Sequence, residues 1–112
     1  SAALLADVTA QVLGQLRWHA PAAAPSGVYH LTAGGETSWH GFAQAILRGG
    51  VARGLTIKVS PEAVGAIATA EYPLPARRPA NSRLDTAKLQ RTFGLALPPW
   101  QEGLEHVLDQ II

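Results

Sequence analysis

Residues 72–85 read Tyr72-Pro73-Leu74-Pro75-Ala76-Arg77-Arg78-Pro79-Ala80-Asn81-Ser82-Arg83-Leu84-Asp85. Each proline fixes its own φ, lacks an amide hydrogen and pushes the residue before it towards extended backbone. Neither a helix nor a paired central strand can therefore run through residues 72–78. The stretch is a stiffened loop carrying three guanidinium forks, Arg77, Arg78 and Arg83, beside the polar side chains of Asn81 and Ser82. A planar fork pairs bidentately with carboxylate or phosphate, so the loop has the chemistry of an anion clamp. The competing reading is a set of solvated charges beside a proline-rich connection, which would add little to stability.

On either side of this loop the hydropathy pattern marks out short elements. Upstream, Leu4, Leu5, Val8, Val12 and Leu16 recur at helical spacing, predicting an amphipathic helix over residues 1–16 with Ser1 as N-cap. A chain opening on a helix start with no preceding element is expected to be part of something longer. Two prolines, four alanines and a glycine make residues 19–27 a loop. Residues 28–33 alternate and are β-prone, predicting a strand that turns at Gly34-Gly35. Thr37 or Ser38 then caps a helix with Trp39, Phe42, Ala43 and Ile46 on one face, ended by Gly49-Gly50. Strand, glycines and helix in that order form the βα half of a parallel unit.

Residues 55–59 read as a short strand, Ser60-Pro61-Glu62 as a turn, and residues 67–72 as extended chain leading into the loop. Beyond it, residues 81–84 suit a brief strand. Asp85 is placed to cap a helix over residues 86–93, with Gly94 as its stop. Pro98-Pro99 opens a last helix with the stripe Trp100, Leu104, Val107, Leu108 and Ile111.

Composition narrows the functional classes. The 112 residues, 47% hydrophobic and 15% charged, suit one globular domain. A formal charge of +1 gives no global attraction to nucleic acid or to an anionic membrane, so electrostatic function has to come from local clustering. Cysteine is absent, which removes disulfides, thiolate metal sites and thiol nucleophiles, and no apolar run approaches the ~20 residues that span a bilayer. His19, His30, His40 and His106 show no paired metal-ligand spacing, and Glu102 with His106 reads as a surface contact. Neither glycine pair fits Gly-x-Gly-x-x-Gly or a P-loop. Trp39 and Trp100 fall on apolar stripes and are expected in the core. The cations Arg77, Arg78, Arg83, Lys88 and Arg91 face only Asp85 over residues 72–101, while Glu102, Glu105 and Asp109 make the last helix acidic.

The run Pro-Ala-Arg-Arg-Pro-Ala-Asn-Ser-Arg-Leu-Asp-Thr-Ala-Lys-Leu at residues 75–89, preceded by Tyr72-Pro73, resembles the C-terminal signature of the dTDP-4-dehydrorhamnose reductase family of extended short-chain dehydrogenases. Three other places agree with it in order and spacing. They are Val28-Tyr29-His30-Leu31-Thr32-Ala33-Gly34-Gly35 with Thr37-Ser38-Trp39-His40, then Phe93-Gly94-Leu95, then Leu97-Pro98-Pro99-Trp100 leading to Gly103-Leu104.

The resemblance implies an α/β fold. Residues 1–50 would be the last helix-strand-helix of a Rossmann-like nucleotide-binding sheet, and residues 51–112 a small mixed α/β substrate-binding subdomain. It implies a reductase that converts dTDP-4-dehydro-6-deoxy-L-mannose to dTDP-L-rhamnose for bacterial lipopolysaccharide and O antigen. The reductant is NADPH or NADH, bound outside this chain. The family's Gly-x-x-Gly-x-x-Gly loop is missing, and so is its Tyr-x-x-x-Lys pair, since Tyr29 precedes Ala33 and Tyr72 precedes Ala76. This stretch is therefore expected to be a C-terminal portion that is inactive alone, with no catalytic, cofactor or metal residue of its own. By motif position the substrate-binding residues are Arg78, Asn81, Ser82 and Arg83, then Tyr72 and Arg77. Family members that dimerise around magnesium use an acid near the C-terminus, and Gln110 stands there instead, which puts the metal in doubt. The expected partners are a nucleotide-sugar and further copies of the protein, with no nucleic acid and no membrane, in the cytoplasm. The alternatives are another nucleotide-sugar reductase or epimerase and, in a different class, a small basic nucleic-acid-binding module.

Overall fold

The computed structural model describes residues 1–18 and 23–112; residues 19–22 of the expected loop lie outside the described residues. Among the described residues four α-helices follow in chain order: α1 (Ala2–Leu16), α2 (Trp39–Ala52), α3 (Ala87–Phe93) and α4 (Trp100–Ile111). Single 3₁₀ turns at Pro61–Ala63 and Thr69–Glu71 separate the second from the third. The chain divides into two compact units, one of Ser1–Gly35 with Leu84–Gly103 and one of Glu36–Arg83 with Leu104–Ile112.

In the first unit α1 begins where Ser1 accepts a hydrogen bond from the Leu4 amide at 3.3 Å, so the N-cap reading holds. Its apolar face meets α3. Val8, Leu89 and Phe93 are buried together, with Leu4, Val12, Leu16, Tyr29, Leu31, Leu95 and Leu97 packed around them. Tyr29 and Phe93 pack tilted, with centroids 5.3 Å apart, and the Tyr29 hydroxyl donates to the Pro25 carbonyl at 2.9 Å. Lys88 lies over the Tyr29 ring and donates to the Val28 carbonyl at 2.9 Å, tying residues 28 and 29 to α3. The α3 start differs by one residue from expectation: Thr86 occupies the N-cap, while the Asp85 carboxylate accepts from the Ala87 amide at 2.9 Å. Gly94 ends the helix in the left-handed region (φ 61°), where a side chain would be strained.

The β expectations are not met among the described residues. Among the described residues no strand ladder forms, and the one β pairing is an isolated parallel bridge between Gly34 and Pro99. It is made by the Gly34 amide donating to Pro98 (2.7 Å) and the Trp100 amide donating to Gly34 (3.0 Å). Residues 28–33, 55–59 and 81–84 carry no regular structure, and the expected extended run at 67–72 contains the 3₁₀ turn Thr69–Glu71. β-prone alternation reports a preference for a pleated, half-buried surface, whereas a strand exists only when a second backbone lies beside it to share the ladder.

In the second unit Ser38 caps α2, accepting from the Gly41 amide at 3.0 Å. The helix does not stop at Gly49-Gly50. Both glycines are buried within it: a Cβ on Gly49 would lie 2.3 Å from Leu108 Cδ1, so its smallness admits the α4 side chain, while Gly50 faces Ile57 and Leu55. The stop comes later, at Gly54 (φ 86°). There the Leu55 amide returns to the Gly50 carbonyl (3.0 Å) and the Gly54 amide to that of Val51 (2.9 Å), the paired bonds of a Schellman ending. Trp39, expected in the core, is 80% exposed and touches Phe42 edge-on. An apolar stripe names the face that seeks a neighbour and does not supply one. The α4 stripe is likewise only partly covered, with Leu108 buried and Ile111 exposed. Among the described residues no helix is long and apolar enough to cross a membrane.

Candidate functional site

The second unit carries the arginine loop, and side chains of α2 fix the segment that leads to it. His40 Nε2 lies 2.8 Å from the Val64 carbonyl oxygen, the geometry of the tautomer with its proton on that nitrogen. Gln44 Nε2 donates to the Pro61 carbonyl at 3.1 Å, so the 3₁₀ turn Pro61–Ala63 is tied to the first two turns of α2. The Glu71 carboxylate then accepts from the Ala68 amide and closes the next turn on itself. From residue 72 the chain runs exposed to residue 83 without a helix or strand, as its prolines dictate for residues 72–78.

Within this loop the six sequence-predicted residues divide into two sets. Asn81 and Arg83 are brought together, the Asn81 side-chain oxygen accepting from both the backbone amide and Nε of Arg83, each at 3.0 Å. Arg83 Nη1 also donates to the carboxylate of Glu36, 47 positions earlier in the chain. Tyr72, Arg77, Arg78 and Ser82 are exposed, and among the described residues Arg77 and Arg78 make no ion pair. Glu36 was not legible as part of this group: a single acid before a helix cap carries no local signal, and its partner is set by tertiary structure alone.

The unit's other cations show where free positive charge remains. Arg48 stands 3.7 Å from Glu62. Arg53 is held from four directions, with Nε and Nη2 on Asp109 Oδ1 (2.9 and 2.6 Å), Nη2 on Glu105 Oε2 (2.6 Å) and Nη1 on the Gly49 carbonyl (3.1 Å). Those hydrogen bonds, to Glu105 first and Asp109 next, raise the Arg53 guanidinium further above its ordinary range. Arg53 is thus neutralised and structural, whereas Lys88 in the first unit is engaged by the Val28 carbonyl and the Tyr29 ring with no ion pair among the described residues. Among the described residues the adjacent forks of Arg77 and Arg78, like Lys58, make no ion pair.

Gly49 and Gly50 are buried within α2, and Gly34 is engaged in its bridge with residues 98–100. Among the described residues no three acidic or histidine side chains converge, and Gln110 turns its amide towards His106 at 3.1 Å. The first unit has an open apolar groove of about 420 Å³ between α1 and α3, lined by Val12, Leu16, Tyr29 and Phe93 among others.

The whole chain, residues 1–112, matches the family model described as RmlD substrate binding domain. It is 43% identical over 110 residues to proteins named dTDP-4-dehydrorhamnose reductase from Shigella flexneri and Escherichia coli, covering 98% of this chain and 35% of each relative. A protein of that name from Burkholderia thailandensis is 45% identical over 98 residues, 87% of this chain and 33% of the relative. The chain thus spans about a third of the length of these relatives.

Proposed function

The chain belongs to the RmlD substrate-binding domain family, and from that membership we propose that it forms the nucleotide-sugar-binding side of a dTDP-4-dehydrorhamnose reductase. In that enzyme a reduced nicotinamide, NADPH or NADH, reduces dTDP-4-dehydro-6-deoxy-L-mannose to dTDP-L-rhamnose. The groups that hold the cofactor and donate the proton to the new hydroxyl lie in polypeptide outside these residues. What this chain contributes is binding. Arg77 and Arg78 grip the pyrophosphate, Arg83 adds a donor from a fixed position, and Tyr72, Asn81 and Ser82 border the sugar nucleotide.

The observation that carries this reading is the pair of guanidinium groups, Arg77 and Arg78, that make no ion pair among the described residues and sit on a proline-stiffened loop of a chain whose curated relatives are named dTDP-4-dehydrorhamnose reductase. A dianionic pyrophosphate is the ligand that two adjacent forks suit. Residues 28–33 become the last strand of the nucleotide-binding sheet once neighbouring strands are supplied, and the functional division falls near residue 50. The enzyme is cytoplasmic and self-associating, which fractionation and light scattering will check.

Steady-state kinetics of the complete reductase test the proposal. Arg78→Ala is expected to raise KM for the keto-sugar by about ten- to a hundredfold, the scale of one lost charge-assisted contact, and Arg78→Lys to recover little of it. Arg91→Ala, at an exposed position of α3, is the control and should leave KM unchanged. Unchanged KM in Arg77→Ala, Arg78→Ala and Arg83→Ala alike would reject the clamp.

A further inference from the structure

Arg83 is held in a way that its loop neighbours are not. Asn81 takes its backbone amide and Nε on one oxygen, and Glu36 takes Nη1, so three of its donors are committed within the protein. Nη2 is the end of the guanidinium left over, and its two hydrogens have no partner among the described residues. A surface arginine that is free in water loses its rotamer freedom when it grips an anion; one that is already braced has given most of it up in advance.

We propose that Glu36 is a positioning residue of the arginine clamp, aligning Arg83 so that Nη2 is the donor offered to the nucleotide-sugar phosphates. The inference rests on the loop being the substrate clamp. Glu36 does not touch the ligand. It acts through Arg83, with Asn81 as the second brace. Its own charge opposes an incoming anion, but the side chain is 64% exposed, so water and salt screen that repulsion more effectively than they undo the alignment. An acceptor at this position is what the geometry requires, and the negative charge is secondary.

The test is a kinetic comparison in the complete reductase, with thermal unfolding of each variant beside it. Glu36→Ala should raise KM for the keto-sugar about three- to tenfold with kcat unchanged, because a contact present in both ground and transition state is weakened. Glu36→Gln, which keeps an oxygen acceptor, should restore most of the loss, a rescue that a purely charge-based or folding role would not produce. In an Arg83→Ala background Glu36→Ala should have no further effect. A lower KM in Glu36→Ala would make Glu36 a competitor of the ligand and overturn the proposal, as would an undiminished effect without Arg83. If Arg77→Ala and Arg78→Ala raise KM while Glu36→Ala and Arg83→Ala do not, this inference fails and the clamp stands. If none of the four moves KM, the clamp itself has failed.

Discussion

Gly49→Ala turns the packing of α2 against α4 into a number. In an open helix an alanine is better than glycine by about 1 kcal/mol, since glycine gives up more backbone freedom. At Gly49 the new Cβ would sit 2.3 Å from Leu108 Cδ1, so the two must part by roughly an ångström to reach ordinary contact. Leu108 is only 3% exposed and has no solvent to swing into. Overpacking of this kind costs about 1–3 kcal/mol, leaving a net loss of about 1 kcal/mol after the helix gain, or about 4–8 °C in Tm for a domain of this size. Gly14→Ala in α1 is the matched control, because a Cβ there meets nothing within 4 Å. It should raise stability by about 0.5–1 kcal/mol. Leu108→Ala alone should cost about 2–5 kcal/mol, and the double variant less than the sum of its parts, since shortening Leu108 relieves the overlap. Thermal or urea unfolding reads all four proteins. If Gly49→Ala and Gly14→Ala stabilise equally, Leu108 does not sit on Gly49 and the account of why the helix runs through its glycine pair is wrong.

Gly94→Ala should destabilise by about 1–2 kcal/mol through the left-handed backbone at φ 61°, and unfolding midpoints will show it even though a Cβ there would have open space. Arg53→Lys should lower Tm, because one ammonium cannot reach Glu105, Asp109 and the Gly49 carbonyl together. As the folded-state value of Arg53 is raised, its contribution is complete below the ordinary guanidinium range and is lost only as pH climbs through the raised value. The Tm gap between Arg53→Lys and the parent should therefore stay constant between about pH 6 and 9. The 112-residue chain alone, with neither a phosphate loop nor a Tyr-x-x-x-Lys pair, should neither bind NAD(P)H nor turn over a keto-sugar, and detectable cofactor oxidation by it would refute this.

What could be read in advance was what depends on near neighbours in sequence. Ser1, Ser38 and Gly94 marked helix ends because capping and left-handed stops are made within a few residues. The loop at residues 72–80 was legible because proline acts on its own backbone. Gly49-Gly50 misled because glycine has two uses, and only the presence of Leu108, far along the chain, decides between stopping a helix and admitting a close neighbour. Residues 28–33 alternate as a strand would without forming one here, because pairing is a property of two segments. In the candidate site the arginines and Asn81 could be named, but their sorting could not: Glu36 with Arg83, and Glu105 and Asp109 with Arg53, are joined only by the fold.

The central claim is that the free forks of Arg77 and Arg78 hold a nucleotide pyrophosphate, and calorimetric titration of dTDP into the complete reductase tests it without relying on turnover. The Arg77→Ala/Arg78→Ala protein is predicted to bind dTDP at least about tenfold more weakly than the parent, with its unfolding midpoint little changed because both residues are exposed and make no ion pair among the described residues. An equal Kd for the two proteins would contradict the account.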